Sequence, residues 1–160
     1  MINNLFVCLG NICRSPLAHG ILLKEINDRN LQNIISVDSC GTSQYHIGEQ
    51  PDSRTRANAE LNGVWLNHQA RQFERADFRK FDYILAMDRA NYKNVIRLDQ
   101  TSEFEHKVHL MRDFDPLDKG ADVPDPYVGG EQGFQHVFDI LDRSVDDFLN
   151  WVIDQHKLKT

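Results

Sequence analysis

Four short apolar runs alternate with amphipathic stretches along the chain. The runs predict β-strands at positions 5–8, 34–39, 83–87 and 108–111. After the first run, apolar residues recur on one helical face, at Leu17, Ile21, Leu22 and Ile26. This alternation predicts an α/β fold of three layers, in which a four-stranded parallel sheet is flanked by helices.

The rest of the pattern predicts further helices at 52–62, 75–81 and 89–98. A long amphipathic helix is predicted near the carboxyl end from the spacing of Phe134, Val137, Phe138, Leu141, Val145, Phe148, Leu149 and Val152. The stretch 113–130 is rich in Asp, Gly and Pro and is the one long irregular loop expected. Long loops of this kind usually carry function.

Length and composition limit the class of protein. A chain of 160 residues fits one domain spanning 1–160, and 26% charged with 41% hydrophobic residues is ordinary globular composition. The net charge of −6, without a basic run, argues against nucleic-acid binding. No segment has the pattern of a membrane span or a secretory leader, so we expect no membrane association. Three cysteines do not make a disulfide framework, which favours a cytoplasmic location.

The first predicted strand leads into a loop bounded by Cys8 and Arg14, with Leu9, Gly10, Asn11, Ile12 and Cys13 between them and Ser15 after them. A loop between a strand and a helix amino terminus can turn its N–H groups inward and bind a dianion. The same positive field favours a thiolate at Cys8. Arg14 offers a planar fork for two phosphoryl oxygens. The sequence therefore predicts a nucleophile in a phosphate-binding loop, with inorganic phosphate or related oxyanions as ligands.

A zinc site is the alternative interpretation of the cysteines. Cys8 and Cys13 would need two more ligands, and His19 and Cys40 are the only nearby candidates. Arg14 would repel the cation. We therefore expect neither a metal nor another cofactor.

Several segments together resemble the low-molecular-weight protein tyrosine phosphatases. They are residues 7–16, Ala70-Arg71-Gln72, the stretch 83–88 and Asp125-Pro126-Tyr127. The resemblance implies hydrolysis of phosphotyrosine through a phosphocysteine on Cys8, with Asp125 as general acid and then general base. Composition alone leaves Asp125 open as a turn residue, because Asp-Pro pairs are common in turns.

The resemblance also implies a set of supporting residues. Asn11, Ser39 and His68 would form the network that holds the loop open, and the Ser15 hydroxyl would hydrogen-bond the departing thiolate. Ser15 is equally well placed to cap the helix before Pro16. Asp88 would orient Arg14, although a helix cap is its default role.

Three further expectations concern the cleft and its chemistry. Tyr45 and Tyr127 are candidates for the walls of an aromatic-substrate cleft, or for plain packing. Many relatives have a second tyrosine where Val128 stands, which removes a hydroxyl that could be phosphorylated. Cys13 is either a small packing residue or a thiol that captures oxidised Cys8 as a disulfide.

Other functions compete with the phosphatase interpretation. Thioredoxin-coupled arsenate reductases share the loop but need a downstream cysteine pair, and no cysteine follows Cys40. Protein-arginine phosphatases carry Thr where Ile12 stands. A non-catalytic phosphate-binding module should lack the nucleophile or the acid, and both are present. The expected partner is a phosphotyrosine-containing protein, and a tyrosine kinase of a bacterial polysaccharide system is one candidate by resemblance.

Overall fold

The computed structural model describes residues 1–127 and 129–159. The strands are β1 (Ile2–Cys8), β2 (Ile35–Gly41), β3 (Tyr83–Ala86) and β4 (Val108–Leu110). They form a sheet in the order β2-β1-β3-β4, and every neighbouring pair is parallel. The predicted four-stranded parallel sheet is confirmed.

Within the described residues, five α-helices accompany the strands: α1 (Arg14–Asp28), α2 (Ser53–Leu61), α3 (Asp77–Lys80), α4 (Arg89–Leu98) and α5 (Gly130–Gln155). Two 3₁₀ turns flank β4, at Glu105–Lys107 and Met111–Phe114. None of the helices in the described residues has the length and apolar content needed to cross a bilayer.

Alternating residues of the central strand face two separate apolar clusters. Phe6 packs with the inner faces of α1 and α5, whereas Leu5 and Val7 pack on the other side of the sheet. The second cluster also contains Phe78 and Val95 from α3 and α4. The apolar positions predicted for α1 and α5 are all buried. Side chains that alternate across a strand therefore produce the expected three layers.

The strand ends differ from the prediction, since β1 already begins at Ile2 and β2 continues to Gly41. Three details outside the strands differ as well. The helix predicted at 75–81 is a single turn, Asp77–Lys80, because Phe81 is already extended. The irregular segment begins later than 113, since the turn Met111–Phe114 takes its first residues. Ser15 is not a helix cap: α1 begins at Arg14, so Ser15 lies inside the first turn and its hydroxyl bonds to the loop instead.

The topology brings the loop to the centre of one sheet edge. β1 ends at Cys8, paired with Gly41 at the end of β2, while Val7 pairs with Ala86 at the end of β3. The chain after β1 therefore emerges between its two neighbours. The connections from β1 and from its neighbours run to opposite sides at this point of the strand order. In open parallel sheets, such a point at the carboxyl ends of the strands is where ligands bind.

Candidate active site

The loop curls around the sulfur of Cys8. Cys8 is only 3% exposed, and the backbone N–H of Asn11 donates to its Sγ at 3.3 Å. The Ser15 hydroxyl lies 2.9 Å from the same sulfur. A sulfur that accepts from an N–H and contacts a hydroxyl at a helix amino terminus is placed to carry negative charge.

Asn11 holds the loop from within. It is fully buried and has a left-handed backbone with φ 58°, which Asn tolerates better than most residues. Its amide nitrogen donates to Ser15 Oγ at 2.8 Å and to Ser39 Oγ at 3.1 Å. Its amide oxygen lies 2.8 Å from His68 Nε2 and accepts from the Arg71 N–H at 3.1 Å. The structure thus brings Asn11, Ser39 and His68 together.

Gly41 leaves space for the loop at the end of β2. A Cβ at this position would lie 2.6 Å from the carbonyl oxygen of Leu9 and 3.1 Å from the nitrogen of Asn11. Both neighbours are backbone atoms, so no side-chain movement relieves the clash. The loop keeps its shape because residue 41 has no side chain.

Arg14 is anchored at one end of its guanidinium. Nη1 donates to Asp88 Oδ2 at 2.7 Å and to the carbonyl of Val123 at 2.9 Å. Within the described part of the chain these bonds leave Nε and Nη2 without hydrogen-bond partners. Burial opposes the charge, but Cys8, Asp88 and Asp125 nearby raise the pKa of Arg14 above its ordinary value. The fork is held in place with one edge available to an anion.

Asp88 serves two neighbours with two oxygens. Oδ2 accepts from Arg14, and Oδ1 accepts from the Asn91 N–H at 2.7 Å as the amino-terminal cap of α4. The cap and the contact with Arg14 coexist in one carboxylate.

Asp125 lines the same cavity as the loop. Oδ1 accepts from the backbone N–H of Tyr127 at 3.0 Å, and the side chain is exposed to solvent. One cavity is lined by Cys8, Leu9, Gly10, Ile12, Cys13, Arg14, Ser43, Tyr45, His46, Asp125, Pro126 and Tyr127. Asp125 is the only carboxylate among these described residues.

The other aspartates of the same segment have different partners. Asp113 accepts from the Leu110 N–H, and Asp122 accepts from the Arg89 N–H. Asp118 lies 3.6 Å from Arg112. None of these three is among the described residues that line the cavity.

Asp115 is buried beneath the segment. It pairs with Arg112 at 2.9 Å and with Arg143 at 2.8 Å. Burial alone would raise the pKa of Asp115, but hydrogen bonds from Arg143, the Leu117 N–H and Arg112 lower it to about 2. Its carboxylate stabilises the fold and does not face the cleft.

The two tyrosines predicted for the cleft both line the cavity. Tyr45 is 80% exposed and Tyr127 is 46% exposed. The Tyr127 hydroxyl lies 3.3 Å from Cys13 Sγ and 3.4 Å from Asp52 Oδ2. Arg54 stacks on the ring, 4.7 Å from its centroid. Tyr127 is therefore fixed against the loop, whereas Tyr45 stands in solvent. Val128 lies outside the described residues.

The cysteines do not form a metal site with His19. All three are free thiols, and Cys40 lies among apolar residues, where burial raises its pKa well above its usual value. Among the described residues, the group with ligand spacing consists of His19, Asp38 and His68 instead. The alternative zinc interpretation of Cys8 and Cys13 does not fit this geometry.

Four residues stand out among the contributors to the site that sequence reasoning missed. Gly41 and the N–H of Arg71 shape the loop, and His19 contacts Ser39 at 3.1 Å. His46 lines the cavity beside Gly10. The Ala70-Arg71-Gln72 motif was a signal for one of them, whereas the other three depend on which segments meet in the fold.

Comparison with known proteins decides the family. Residues 3–158 match the family described as low molecular weight phosphotyrosine protein phosphatase. The chain belongs to this family. The resemblance in the sequence is confirmed, and the chain is related to hydrolases of phosphotyrosine in proteins.

Relatives of this phosphatase family match over nearly their full length. A low molecular weight protein-tyrosine-phosphatase of Streptomyces coelicolor is 38% identical over 94% of this chain and 93% of its own. A protein tyrosine phosphatase from Entamoeba histolytica, crystallised with Hepes in its active site, has a TM-score of 0.92 at 39% identity, covering 99% of this chain and 100% of its own. A Drosophila arginine phosphatase has a TM-score of 0.86 at 32% identity, covering 93% and 96%.

Proposed function

We propose that this phosphatase hydrolyses phosphotyrosine and other aryl phosphate monoesters through a phosphocysteine on Cys8, with Asp125 as general acid and base. The observation that carries the proposal is the convergence of Cys8, Arg14 and Asp125 on one cavity. A thiol, a bidentate cation and a carboxyl are the groups that this displacement requires.

In the first step, the Cys8 thiolate attacks phosphorus and the bond to the phenolic oxygen breaks. Asp125 gives its proton to that oxygen, so a neutral phenol leaves. In the second step, water attacks the phosphocysteine, Asp125 takes a proton from the water, and the phosphorus–sulfur bond breaks. Phosphate and the Cys8 thiolate are the products.

Arg14 is suited to the phosphoryl group in both steps. Nη1 is held by Asp88 and Val123, so the free edge of the guanidinium does not need to be ordered when the substrate binds. Loop N–H groups at the amino terminus of α1 add partial positive charge on the same side. These donors would stabilise charge that develops on the phosphoryl oxygens.

Ser15 is suited to stabilise the leaving thiolate. Its oxygen accepts from Asn11, which leaves its single proton for either the Cys40 carbonyl at 3.2 Å or Cys8 Sγ at 2.9 Å. A thiolate cannot donate, so it would draw the hydroxyl proton toward sulfur. The hydroxyl would turn back when Cys8 is phosphorylated.

Phosphoarginine is the second candidate substrate, because a solved relative of nearly the same fold is an arginine phosphatase. Ile12 lines the cavity where the arginine phosphatases carry Thr. Together with Tyr45 and Tyr127, this apolar side chain favours an aromatic ring over a guanidinium. Hydrolysis of a phosphoarginine peptide at a rate above that of phosphotyrosine would reverse the order.

We place the protein in a reducing compartment, the cytoplasm, because the mechanism requires Cys8 as a free thiol. Its substrates are phosphotyrosine-containing proteins. A bacterial tyrosine kinase is one candidate among them, and the Streptomyces coelicolor relative shows that the family occurs in bacteria.

The role of Asp125 is tested by changing the leaving group. Asp125→Asn should slow the burst of phenol release from phosphotyrosine by roughly 10²- to 10⁴-fold, the range of general acid catalysis. A substrate with an acidic phenol needs little protonation, so its burst should fall much less. Pre-steady-state measurement is needed because Asp125 should also assist the second step.

Asp118→Asn is the matched control, since Asp118 lies on the same segment but away from the cavity. This control should leave both bursts unchanged. Equal losses for the two substrates in Asp125→Asn would mean that Asp125 positions the segment and donates no proton. Absence of any turnover by the unmodified protein would remove the phosphatase proposal itself.

A further inference from the structure

The amide of Asn11 has only one orientation that its neighbours permit. The backbone N–H of Arg71 points at one amide atom from 3.1 Å, and an N–H can only donate. That atom is therefore the oxygen, and the amide nitrogen faces Ser15 and Ser39. Both hydroxyls must accept from it.

This orientation determines where the Ser39 proton goes. Ser39 is fully buried, and within the described residues its Oγ has two polar partners, the Asn11 amide at 3.1 Å and His19 Nδ1 at 3.1 Å. Because Ser39 accepts from Asn11, its own proton is available for His19. His19 then accepts at Nδ1, which requires a neutral ring with its proton on Nε2.

The surroundings of His19 keep it neutral. Burial lowers the pKa of His19 to about 4, and His68, whose ring centroid is 5.1 Å away, acts in the same direction. Asp38 acts in the opposite direction, but the Arg71 guanidinium pairs with that carboxylate at 3.0 Å. A neutral acceptor is therefore present at neutral pH.

We propose that His19, on α1, is a positioning residue for the phosphate-binding loop: its neutral Nδ1 accepts the Ser39 proton and so fixes Ser39 as the acceptor for Asn11. The effect reaches the reacting sulfur through Asn11, whose N–H and amide contact Cys8 and Ser15. This inference rests on the proposed function, because it explains how the loop of that site is held.

A metal bound by His19, Asp38 and His68 is the competing interpretation of the cluster. Arg71 already neutralises Asp38 and would repel a cation. A metal on His19 Nε2 would also force the proton to Nδ1, where Ser39 would then face two donors. The hydrogen bonds fit a protein-only network better.

Two variants of nearly equal size separate an acceptor from plain packing. Asn can place Oδ1 where His19 has Nδ1, whereas Leu offers no acceptor. His19→Leu should lower kcat/KM for an aryl phosphate by roughly five- to thirtyfold. The buried Ser39 proton would lose its acceptor, so the hydroxyl would no longer be held in the orientation that accepts from Asn11. His19→Asn should recover most of that loss.

A packing role predicts the reverse order, since Leu suits a half-buried site better than Asn. Unfolding by urea, measured for both variants, shows whether activity follows stability instead. Ser39→Ala supplies the second control: with the hydroxyl removed, His19→Leu should cause no further loss. The proposal would be overturned if the losses of Ser39→Ala and His19→Leu were additive in the double variant. It would also be overturned if His19→Leu were more active than His19→Asn.

The tautomer gives a readout that does not depend on turnover. In ¹⁵N-labelled unmodified protein, we expect the nitrogen signals of His19 to show Nε2 protonated and Nδ1 unprotonated. A proton on Nδ1 would contradict the inference even in an active enzyme. An inactive protein with the expected tautomer would instead refute the proposed function and leave the network standing. Addition of zinc should not shift the nitrogen signals of His19. A shift of these signals would favour the metal interpretation.

Discussion

Asp88 offers the sharpest separation of activity from stability, because its two oxygens perform two tasks. Oδ2 holds Arg14 at 2.7 Å, and Oδ1 caps α4 through the Asn91 N–H at 2.7 Å. Serine caps helices about as well as aspartate but carries no charge and is too short to reach Arg14. Asp88→Ser should keep the cap and lose the ion pair, whereas Asp88→Ala should lose both.

The size of each effect follows from the contacts. A hydrogen bond between charged groups is worth about 1.5–3 kcal/mol, so loss of Arg14 orientation should lower kcat/KM roughly ten- to 150-fold in both variants. Arg14 keeps its bond to the Val123 carbonyl, which argues against complete inactivity. Loss of the cap costs about 1 kcal/mol, so Asp88→Ala should melt about 2–4 °C below Asp88→Ser.

The assay pairs steady-state hydrolysis of an aryl phosphate with thermal unfolding of the same samples. We expect the two variants to be equally slow and unequally stable. If Asp88→Ser were as active as the unmodified protein, while Asp88→Ala was impaired in proportion to its stability, Asp88 would serve α4 alone. The assignment of Asp88 to Arg14 would then be wrong.

Three further predictions concern the loop, its oxidation and acid stability. Gly41→Ala should lose far more activity than Gly10→Ala, since the new methyl meets backbone in the first case and a side chain in the second, and similar kcat/KM values would contradict this. Peroxide should inactivate reversibly, with thiol reductant restoring activity, and Cys13→Ser should recover less; equal recovery would make Cys13 a packing residue. The pKa of Asp115, about 2 when folded, lies below the roughly 3.9 of an unfolded Asp. Its stabilisation, on the order of 2 kcal/mol, is therefore present above about pH 4 and lost as the pH falls toward 2. The free energy of unfolding by urea, measured across this range, should depend less on pH in Asp115→Asn than in the unmodified protein. An unchanged slope would refute this role of Asp115.

The fold was largely predictable because local pattern and tertiary role agree. α4 begins and ends at the predicted residues, since the Asp88 cap is visible in the sequence. The apolar face of α5 is equally regular. The prediction was wrong where a side chain forms its hydrogen bonds outside its own helix. Ser15 has the sequence context of a helix cap, yet its hydroxyl bonds to residues of the loop.

The candidate site was predictable in its local part and not in its remote part. Cys8 and Arg14 belong to one contiguous segment between a predicted strand and a predicted helix, so the sequence context, together with the other matching motifs, predicts a phosphate-binding loop. Gly41, Arg71 and His19 reach that loop through strand pairing and helix placement. Their contributions depend on the register of β2 against β1, which a single sequence does not specify.

The covalent intermediate is the central claim, and direct detection tests it best. The enzyme would be mixed with an aryl phosphate that has an acidic phenol, stopped within the burst by a denaturing quench, and digested for mass analysis. Our account predicts one phosphoryl group on the peptide that contains Cys8, and none in Cys8→Ser treated identically. A phosphoryl group on any other residue during turnover, or a full burst of phenol from Cys8→Ser, would contradict it.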